Sequence, residues 1–354
     1  MAREQATVVN FASDNNSGVC PEVIAGITEE ASRFDAAYGA DQRSIELSVA
    51  MAEVFDREVD VYCVPTGTAA NSLSLAAVNP GWGAVLCPEH SHILVDECAA
   101  PTVIGAGLSL LPLESEHGKL TRPIVEAYLA ARHDTGVHSV ALTSLSVAQV
   151  TETGTRYSPD ELAELADLAH SHDMALHMDG ARFANAVASS GSTPSELTWR
   201  AGVDIMSFGA TKGGALGAEA IVVFDPSRVR DDIERLRKRT GHLLSKQRFM
   251  AAQFVSWLGD GTWLTLADHA NQMAARLADE LRRSGIDLSH PVDANMIFAW
   301  LDPATTESLR AAGARFYQDN PVRRTDGTAE ARLVTSWSTT TEDVDRFAAI
   351  VSGR

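Results

Sequence analysis

A chain of 354 residues, 45% of them hydrophobic and 21% charged, is long enough to bury one large core and a smaller second one. Its formal net charge of −18 argues against nucleic acid or an anionic membrane surface as the binding partner. The first residues lack an apolar signal core, and no run of 18 apolar residues occurs, so we expect a cytoplasmic protein. The four cysteines form no CxxC pair, and we expect reduced thiols.

Residues 1–20 form a predicted N-terminal arm that is polar, and two helices are expected next, at about 22–36 and 41–57. Strand and helix patterns then alternate up to residue 224. The predicted strands are short apolar runs bounded by turn residues, at 61–65, 84–87, 108–111, 139–143, 175–178, 204–208 and 220–224. Because these runs are apolar on both faces and helices lie between them, the pattern predicts an α/β fold with a mostly parallel seven-stranded sheet.

The pattern changes after Pro226, where a mainly helical and charge-rich stretch runs to about residue 284. Shorter strands follow, at 296–301, 315–318 and 332–337. This arrangement predicts a smaller C-terminal α+β domain. We therefore expect the arm at 1–20, a large ligand-binding domain at 21–245, and linker helices with the small domain at 246–354.

Polar residues with chemical potential follow several of the predicted strands, at the point where each strand ends. Gly67 and Thr68 begin a helix, and the free N–H groups at such a helix start suit a phosphate. His92 follows the next strand, Asp179 closes a later one, and Lys212 lies in a turn of small residues. Since the carboxyl ends of parallel strands meet at one edge of a sheet, we expect these residues to lie close together.

Each of these residues also has an ordinary explanation. Lys212 is compatible with a solvated loop lysine, and Asp179 with an ion pair to Arg182. His90 and His92 suit surface loop histidines or a metal pair, although a third ligand is not evident nearby. Together, however, a phosphate seat, a ring-facing histidine, a carboxylate for a pyridine nitrogen and a lysine for a Schiff base meet the requirements of pyridoxal phosphate (PLP).

The chain resembles the low-specificity L-threonine aldolases, which belong to the β-eliminating lyase branch of the aspartate-aminotransferase-like (fold type I) PLP enzymes. The resemblance covers nearly the whole chain and rests on motifs that occur in the family's order. These motifs are FASD at 11–14, YGAD at 38–41, PTGTAAN at 65–71, EHSHI at 89–93, HMDGAR at 177–182, SFGATK at 207–212, RTGHLLSK at 239–246 and ARLVTSW at 331–337.

The resemblance implies which residues hold the cofactor. Lys212 is expected to carry PLP, Asp179 to pair with its ring nitrogen, Arg182 to lie near the ring hydroxyl and His92 to stack on the ring. The phosphate is assigned to three further residues, Gly67, Thr68 and, from a neighbouring subunit, Lys246.

The resemblance also implies how an amino acid substrate is held. Ser13 and Arg332 are expected to bind its carboxylate, and the planar guanidinium of Arg332 suits this role on chemical grounds. Many family members carry a His-Asn pair close to the substrate hydroxyl, and Gln149 takes the place of that histidine in the alignment of the motifs. Glutamine is not a base, so we expect Gln149 to bind substrate by hydrogen bonding and His92, a water or another group to take the hydroxyl proton.

The implied activity is PLP-dependent cleavage of L-threonine, L-allo-threonine and related β-hydroxy-α-amino acids to glycine and an aldehyde, by a homo-oligomer, a dimer of dimers with the site at the dimer interface. Two alternatives stay open: another PLP-dependent lyase, and an aldolase for phenylserine or α-methylserine. A desulfurase is disfavoured because the cysteines lie in the arm, in strands or just beyond His92. A non-catalytic PLP-binding regulator is disfavoured by the negative charge.

Overall fold

The computed structural model describes residues 9–230, 232–318 and 322–353. Its main sheet has seven strands: β1 Asp60–Val64, β2 Gly83–Pro88, β3 Ser109–Leu113, β4 Ala141–Ala148, β5 Ala175–Gly180, β6 Ile205–Gly209 and β7 Glu219–Val223. Their order is β1-β7-β6-β5-β4-β2-β3. Pairing is parallel from β3 to β6, and β7 lies antiparallel between β6 and β1. The predicted mostly parallel seven-stranded sheet is confirmed.

Helices connect and flank these strands. The helices described are α1 Pro21–Ala31, α2 Gln42–Phe55, α3 Gly67–Val78, α4 His92–Val95, α5 Ala100–Ile104, α6 Arg122–Ala131, α7 Pro159–Ser171, α8 Phe183–Ser190, α9 Ile233–Arg239, α10 Arg248–Leu258, α11 Thr262–Arg283, α12 Pro303–Ala311 and α13 Thr341–Val351. Helix α7 begins at a capping box, in which Ser158 and Glu161 each accept the other's backbone N–H (3.2 and 2.7 Å). Within the described ranges, no helix combines the length and apolar character needed to cross a membrane.

A second sheet pairs β8 (Met296–Leu301) with β9 (Ala329–Val334) in antiparallel fashion. The N-terminal arm joins its edge, because the Val334 N–H donates to the Phe11 carbonyl (2.8 Å). Residues 315–318, which the sequence predicts to be a strand, form only isolated bridges, from Arg315 to Asn10 and from Tyr317 to Arg332. A strand there would need a continuous partner, and the arm supplies only one bridge.

Two large apolar clusters define how the chain is divided. The larger lies around the main sheet and includes Trp257 of α10 and Trp263 at the start of α11. The smaller contains Phe11 of the arm and Leu277 and Leu281 from the second half of α11. The change from one cluster to the other falls inside α11, within the segment predicted to hold the linker helices, and the junction at residue 245 stays a prediction.

The turn after β6 is shaped by tight packing. A Cβ atom on Gly213 would lie 2.6 Å from Cζ2 of Trp257, so only glycine fits there. The indole N–H of Trp257 donates to the Gly213 carbonyl (2.9 Å). The turn therefore has a fixed course, and it holds the backbone of Lys212 at the carboxyl edge of the sheet.

Candidate active site

A cavity of about 610 Å³ is lined by residues from the carboxyl edge of the main sheet and from the second sheet. Five of the residues singled out in the sequence line it together: Ser13, His92, Arg182, Lys212 and Arg332. Because they come from the arm, from three segments of the larger unit and from β9, folding brings together residues that lie up to about 320 positions apart in the chain. This cavity is the candidate active site.

Lys212 lies among buried carboxyl groups on the floor of the cavity. Its positive charge acts to lower the pKa of four of them, namely Asp14, Glu152, Asp179 and Glu219. Small residues flank Lys212, so little side-chain bulk crowds its amine. The neighbouring carboxyl groups can exchange a proton with it. This placement suits the Schiff-base chemistry expected from the sequence.

Asp179 is buried at the end of β5 and is fully engaged by donors. Its Oδ1 accepts the Ala181 backbone N–H (2.9 Å), and its Oδ2 accepts Nδ2 of Asn71 (2.8 Å). Burial alone would raise the pKa of Asp179, but the Ala181 N–H and the charges of Lys212 and His92 hold it below the ordinary value. The group is therefore a carboxylate at neutral pH, as a partner for a protonated pyridine nitrogen must be.

Asn71 connects Asp179 with Glu97, and Glu97 in turn binds His92, the residue of α4 that faces the cavity. Its Nδ2 also donates to Oε1 of Glu97 (2.8 Å), and Ser207 Oγ donates to its Oδ1 (2.7 Å). Nδ1 of His92 lies 2.9 Å from the same Glu97 oxygen. This hydrogen bond to Glu97 raises the pKa of His92, against the opposing effect of burial. The imidazole is thus held in one orientation, whereas His90 points to solvent with its side chain 70% exposed.

The start of α3 offers unpaired backbone donors. Thr66 caps the helix through Oγ1, which accepts the Ala69 N–H (3.1 Å). The N–H groups of Gly67 and Thr68 have no acceptor within the part of the chain that the structure describes. A Cβ atom on Gly67 would meet nothing nearer than Oε2 of Glu219 at 3.9 Å, so there is open space above the helix start. Space, free N–H groups and the helix dipole together fit a phosphate.

Arg182 does not pair with Asp179, the alternative considered from the sequence. Its Nε and Nη2 instead donate to Oδ2 and Oδ1 of Asp14 (2.6 and 3.0 Å), and Asn295 Nδ2 donates to the same carboxylate (3.1 Å). Burial acts to raise the pKa of Asp14, but Arg182 and Lys212 lower it overall. Asp14 therefore ties the arm to the turn after β5.

Arg332 reaches the cavity from β9 with part of its guanidinium unsatisfied. Its Cζ lies 4.8 Å from the centre of the Tyr317 ring, and Nη2 makes only a long contact to the Ala12 carbonyl (3.5 Å). Its Nε is buried and has no acceptor among the described residues. A buried N–H without a partner is costly, and a ligand carboxylate beside Ser13 would satisfy it.

Five residues of the predicted set do not line the cavity: Gly67 and Thr68 at the start of α3, Asp179 at the end of β5, and also Gln149 and Lys246. Gln149 is fully buried; its Nε2 donates to the Tyr157 carbonyl and its Oε1 accepts the Tyr157 N–H (both 2.9 Å). Both ends of the amide are thus used and the side chain does not line the cavity, so substrate binding by Gln149 stays a prediction. Lys246 is exposed and does not line the cavity of its own chain, so its role in phosphate binding stays a prediction that needs a second subunit.

Sequence reasoning missed several functional candidates. Asn71 was recognised only as the last residue of the PTGTAAN motif and Glu97 not at all, because their contacts with each other and with Asp179 form only in the folded chain. Glu219 is buried at the start of β7, and burial raises its pKa to about 7 against the opposing effects of Thr211 and Lys212. Glu152 lies three residues after Gln149 and lines the cavity. Its position in the same polar loop was the one available signal.

Known proteins resemble this chain over nearly its full length. Residues 10–304 match the model of the beta-eliminating lyase family. A low specificity L-threonine aldolase of Pseudomonas aeruginosa is 40% identical over 339 residues, which are 96% of this chain and 95% of that protein. A threonine aldolase structure from Leishmania major superposes with a TM-score of 0.90 at 26% identity, covering 97% of this chain and 98% of that one.

The fold extends to more distant proteins. An aspartate aminotransferase of Thermus thermophilus has a TM-score of 0.70 at 17% identity, over 98% of this chain and 91% of that one, which confirms the expected fold type I architecture. The chain belongs to the beta-eliminating lyase family, and within it to the low-specificity L-threonine aldolases.

Proposed function

We propose that this protein uses PLP to cleave L-threonine, L-allo-threonine and related β-hydroxy-α-amino acids to glycine and an aldehyde. The observation that carries the proposal is that Lys212 and Arg332, with its unsatisfied Nε, line one cavity, and that the charge of Lys212 acts on the buried, ionised Asp179. A cofactor that joins amines would use Lys212 and Asp179, and the carboxylate of an amino acid would use Arg332.

The residues present fit PLP. Gly67 and Thr68 supply free N–H groups for its phosphate, Asp179 supplies a carboxylate for its ring nitrogen, and His92 presents an oriented imidazole to the cavity. Lys212 supplies the amine that joins it. When bound, PLP supplies an aldehyde that joins amines and a protonated ring that accepts the electron pair released when the Cα–Cβ bond breaks.

The protein's own groups bind and orient the substrate. Arg332 offers its buried Nε and its Nη groups to the carboxylate, with Ser13 beside it, so the amino acid is held at one end. The amine of Lys212 would hold the cofactor, and because Lys212 lines the cavity it is placed to exchange a proton with a bound substrate. Asp179 keeps the proton on the ring nitrogen because its own pKa is held low.

His92 is better suited to positioning than to proton abstraction. Its Nδ1 is bound to Glu97, and this hydrogen bond raises its pKa and holds the imidazole in one orientation. We therefore assign His92 to holding the cofactor ring, and the role of base to another group that lines the cavity.

A homo-oligomer with the site at a subunit interface is the proposed assembly. Apolar side chains are exposed on α1, on α2 and on the segment between them, here called the α1–α2 surface: Ile24, Phe34, Tyr38, Ile45 and Val49. The loop that carries Lys246 adjoins it, because the Tyr38 N–H donates to the Ser245 carbonyl (3.0 Å). This proximity supports delivery of Lys246 to the phosphate of a second subunit. The four free cysteines support the proposed cytoplasmic location.

The test is a product analysis of the purified protein loaded with PLP. We expect glycine and acetaldehyde in equal amounts from both L-threonine and L-allo-threonine. Release of ammonia and a keto acid would indicate a β-eliminating lyase instead. Activity confined to phenylserine or α-methylserine would indicate an aldolase for other substrates.

A further inference from the structure

We propose that Glu152 is the catalytic base that takes the β-hydroxyl proton of the substrate, a role that rests on the function proposed above. Glu152 is half-buried and faces the cavity with Lys212 and Arg332. With the substrate amine held near Lys212 and its carboxylate near Arg332, we expect its β-carbon to face the space that these residues share with Glu152.

Glu152 is the carboxyl group near Lys212 that other side chains leave free. Asp14 is bound by Arg182, Asp179 by Asn71 and the Ala181 N–H, and Glu219 by Thr211. Within the described residues, the Glu152 carboxyl has no hydrogen bond or ion pair of the usual length. It is therefore available to accept a proton from a ligand.

The loop that carries Glu152 is braced on both sides. Gln149 spans to the backbone of Tyr157 with both ends of its amide. Thr151 donates its N–H to the Thr155 carbonyl (2.8 Å), and the two threonine Oγ1 atoms lie 2.8 Å apart. These contacts fix the backbone of residue 152 relative to the cavity, as a catalytic group requires. Gln149 is in this view a positioning residue for Glu152.

The electrostatic surroundings support the role. Burial raises the pKa of Glu152, and the negative charge of Asp179 raises it further. The charges of Arg182, Lys212 and His92 act to lower this pKa. The charge of Glu152 in turn acts to raise the pKa of Arg332. A carboxyl whose pKa is shifted towards neutrality accepts a proton more readily and can later return it.

The other candidates in the cavity are less suitable. Nδ1 of His92 is bound to Glu97, which holds the imidazole in one orientation. Asp96 is exposed at the mouth of the cavity, where water competes for it. Glu330 lines the cavity as well, but its Oε1 lies 3.8 Å from Nε2 of His290.

The step balances without any further reactant. The Glu152 carboxylate takes the proton of the β-hydroxyl, and the O–H electron pair becomes the second bond of the aldehyde carbonyl. The Cα–Cβ bond breaks, and its electron pair stays with the glycine fragment. A proton then adds to the α-carbon of that fragment, so one proton leaves oxygen, one reaches carbon, and nothing is oxidised or reduced overall.

Glu152→Gln in the PLP-loaded enzyme tests the proposal, with Glu330→Gln as the matched control on the same cavity. We expect kcat for L-threonine cleavage to fall by about 100-fold or more in Glu152→Gln, as for loss of a general base, and to stay within about threefold in Glu330→Gln. Glycine carries no hydroxyl. Its dissociation constant, measured by calorimetry, and the exchange of its α-proton in D₂O should therefore be unchanged in both variants.

The pH dependence of kcat distinguishes a role of Glu152 in proton transfer from a purely structural role. In the wild type, kcat should rise with pH as Glu152 loses its proton, and this acidic limb should be absent from the residual activity of Glu152→Gln. Retention of full kcat or of the acidic limb in Glu152→Gln would overturn the proposal, and so would loss of glycine binding, because that would indicate a structural role. If the wild type itself does not release aldehyde from threonine, the function fails rather than the assignment of the base.

Discussion

At the level of single residues, the site depends on how buried charges are paired. Asn71 satisfies Asp179 and Glu97 with one amide nitrogen, and Arg182 satisfies Asp14 with two. Each of these carboxylates would otherwise be strongly destabilising inside the protein. Glu219 is the exception, because burial raises its pKa to about 7 and no cation forms a salt bridge with it among the described residues.

Glu219→Gln should stabilise the protein at alkaline pH. The folded-state pKa of about 7 exceeds the ordinary value of 4.5, so the folded state binds more protons between these values and stability falls as pH rises through this window. Glutamine stays neutral. We expect the variant to gain up to about 3 kcal/mol in the free energy of unfolding at pH 8, and little at pH 5.

Urea unfolding of the cofactor-free protein at the two pH values measures this difference. Glu164→Gln, on the exposed face of α7, is the control and should follow the wild type at both. A gain for Glu219→Gln of equal size at pH 5 and pH 8 would mean that Glu219 is ionised throughout.

At the level of elements, the loop after β4 decides which side chain faces the substrate. The sequence predicts Gln149 for that position, whereas the structure places Gln149 against Tyr157 and Glu152 in the cavity. Residue type alone does not predict that Glu152, rather than Gln149 three positions earlier, lines the cavity. This placement depends on the hydrogen bonds among Thr151, Thr155 and the His117 carbonyl, which form only in the folded chain.

Gln149→Ala should lower the free energy of unfolding by about 1–3 kcal/mol, because it leaves the Tyr157 N–H and carbonyl buried without partners. The matched control is Gln272→Ala on the exposed face of α11, where we expect a change within about 0.5 kcal/mol. Urea unfolding of both variants gives the comparison. A Gln149→Ala protein of wild-type stability with an altered KM for threonine would instead support the prediction that Gln149 binds substrate.

Much of the fold was predictable because local rules agree with it. The apolar runs, the capping box at Ser158 and the small residues around Lys212 predict the alternating elements and the position of the lysine. Other features depend on tertiary pairing, such as the antiparallel insertion of β7 and the contact of Asn71 with Glu97. The sequence also predicted that Lys212, Asp179 and His92 lie close together, because the carboxyl ends of parallel strands meet at one edge of a sheet. Arg332 was assigned to the same site from the family resemblance.

At the level of the whole molecule, the cavity exists only because the second sheet and the arm close over the main sheet. Arg332 enters from β9, and Ser13 follows the arm residues that pair with the second sheet. The apolar α1–α2 surface lies next to the loop of Lys246 and is the proposed contact with a second subunit. The site is then complete only in the assembly.

Subunit mixing tests this completion. Lys212→Ala and Lys246→Ala homo-oligomers should each be strongly impaired. Hybrids formed by unfolding and refolding the two variants together should regain a fraction of wild-type threonine cleavage, since one hybrid site receives Lys212 from one chain and Lys246 from the other. Refolding each variant alone is the control, and activity in the mixture no greater than their average would place Lys246 outside the partner's site.

Peptide mapping after borohydride reduction of the PLP-loaded protein tests most directly whether Lys212 carries the cofactor of a threonine-cleaving enzyme. Reduction should fix PLP on the peptide that contains Lys212, and the fraction of that peptide modified should equal the fraction of threonine cleavage lost. Modification of another lysine, or full modification of Lys212 with threonine cleavage intact, would contradict this assignment.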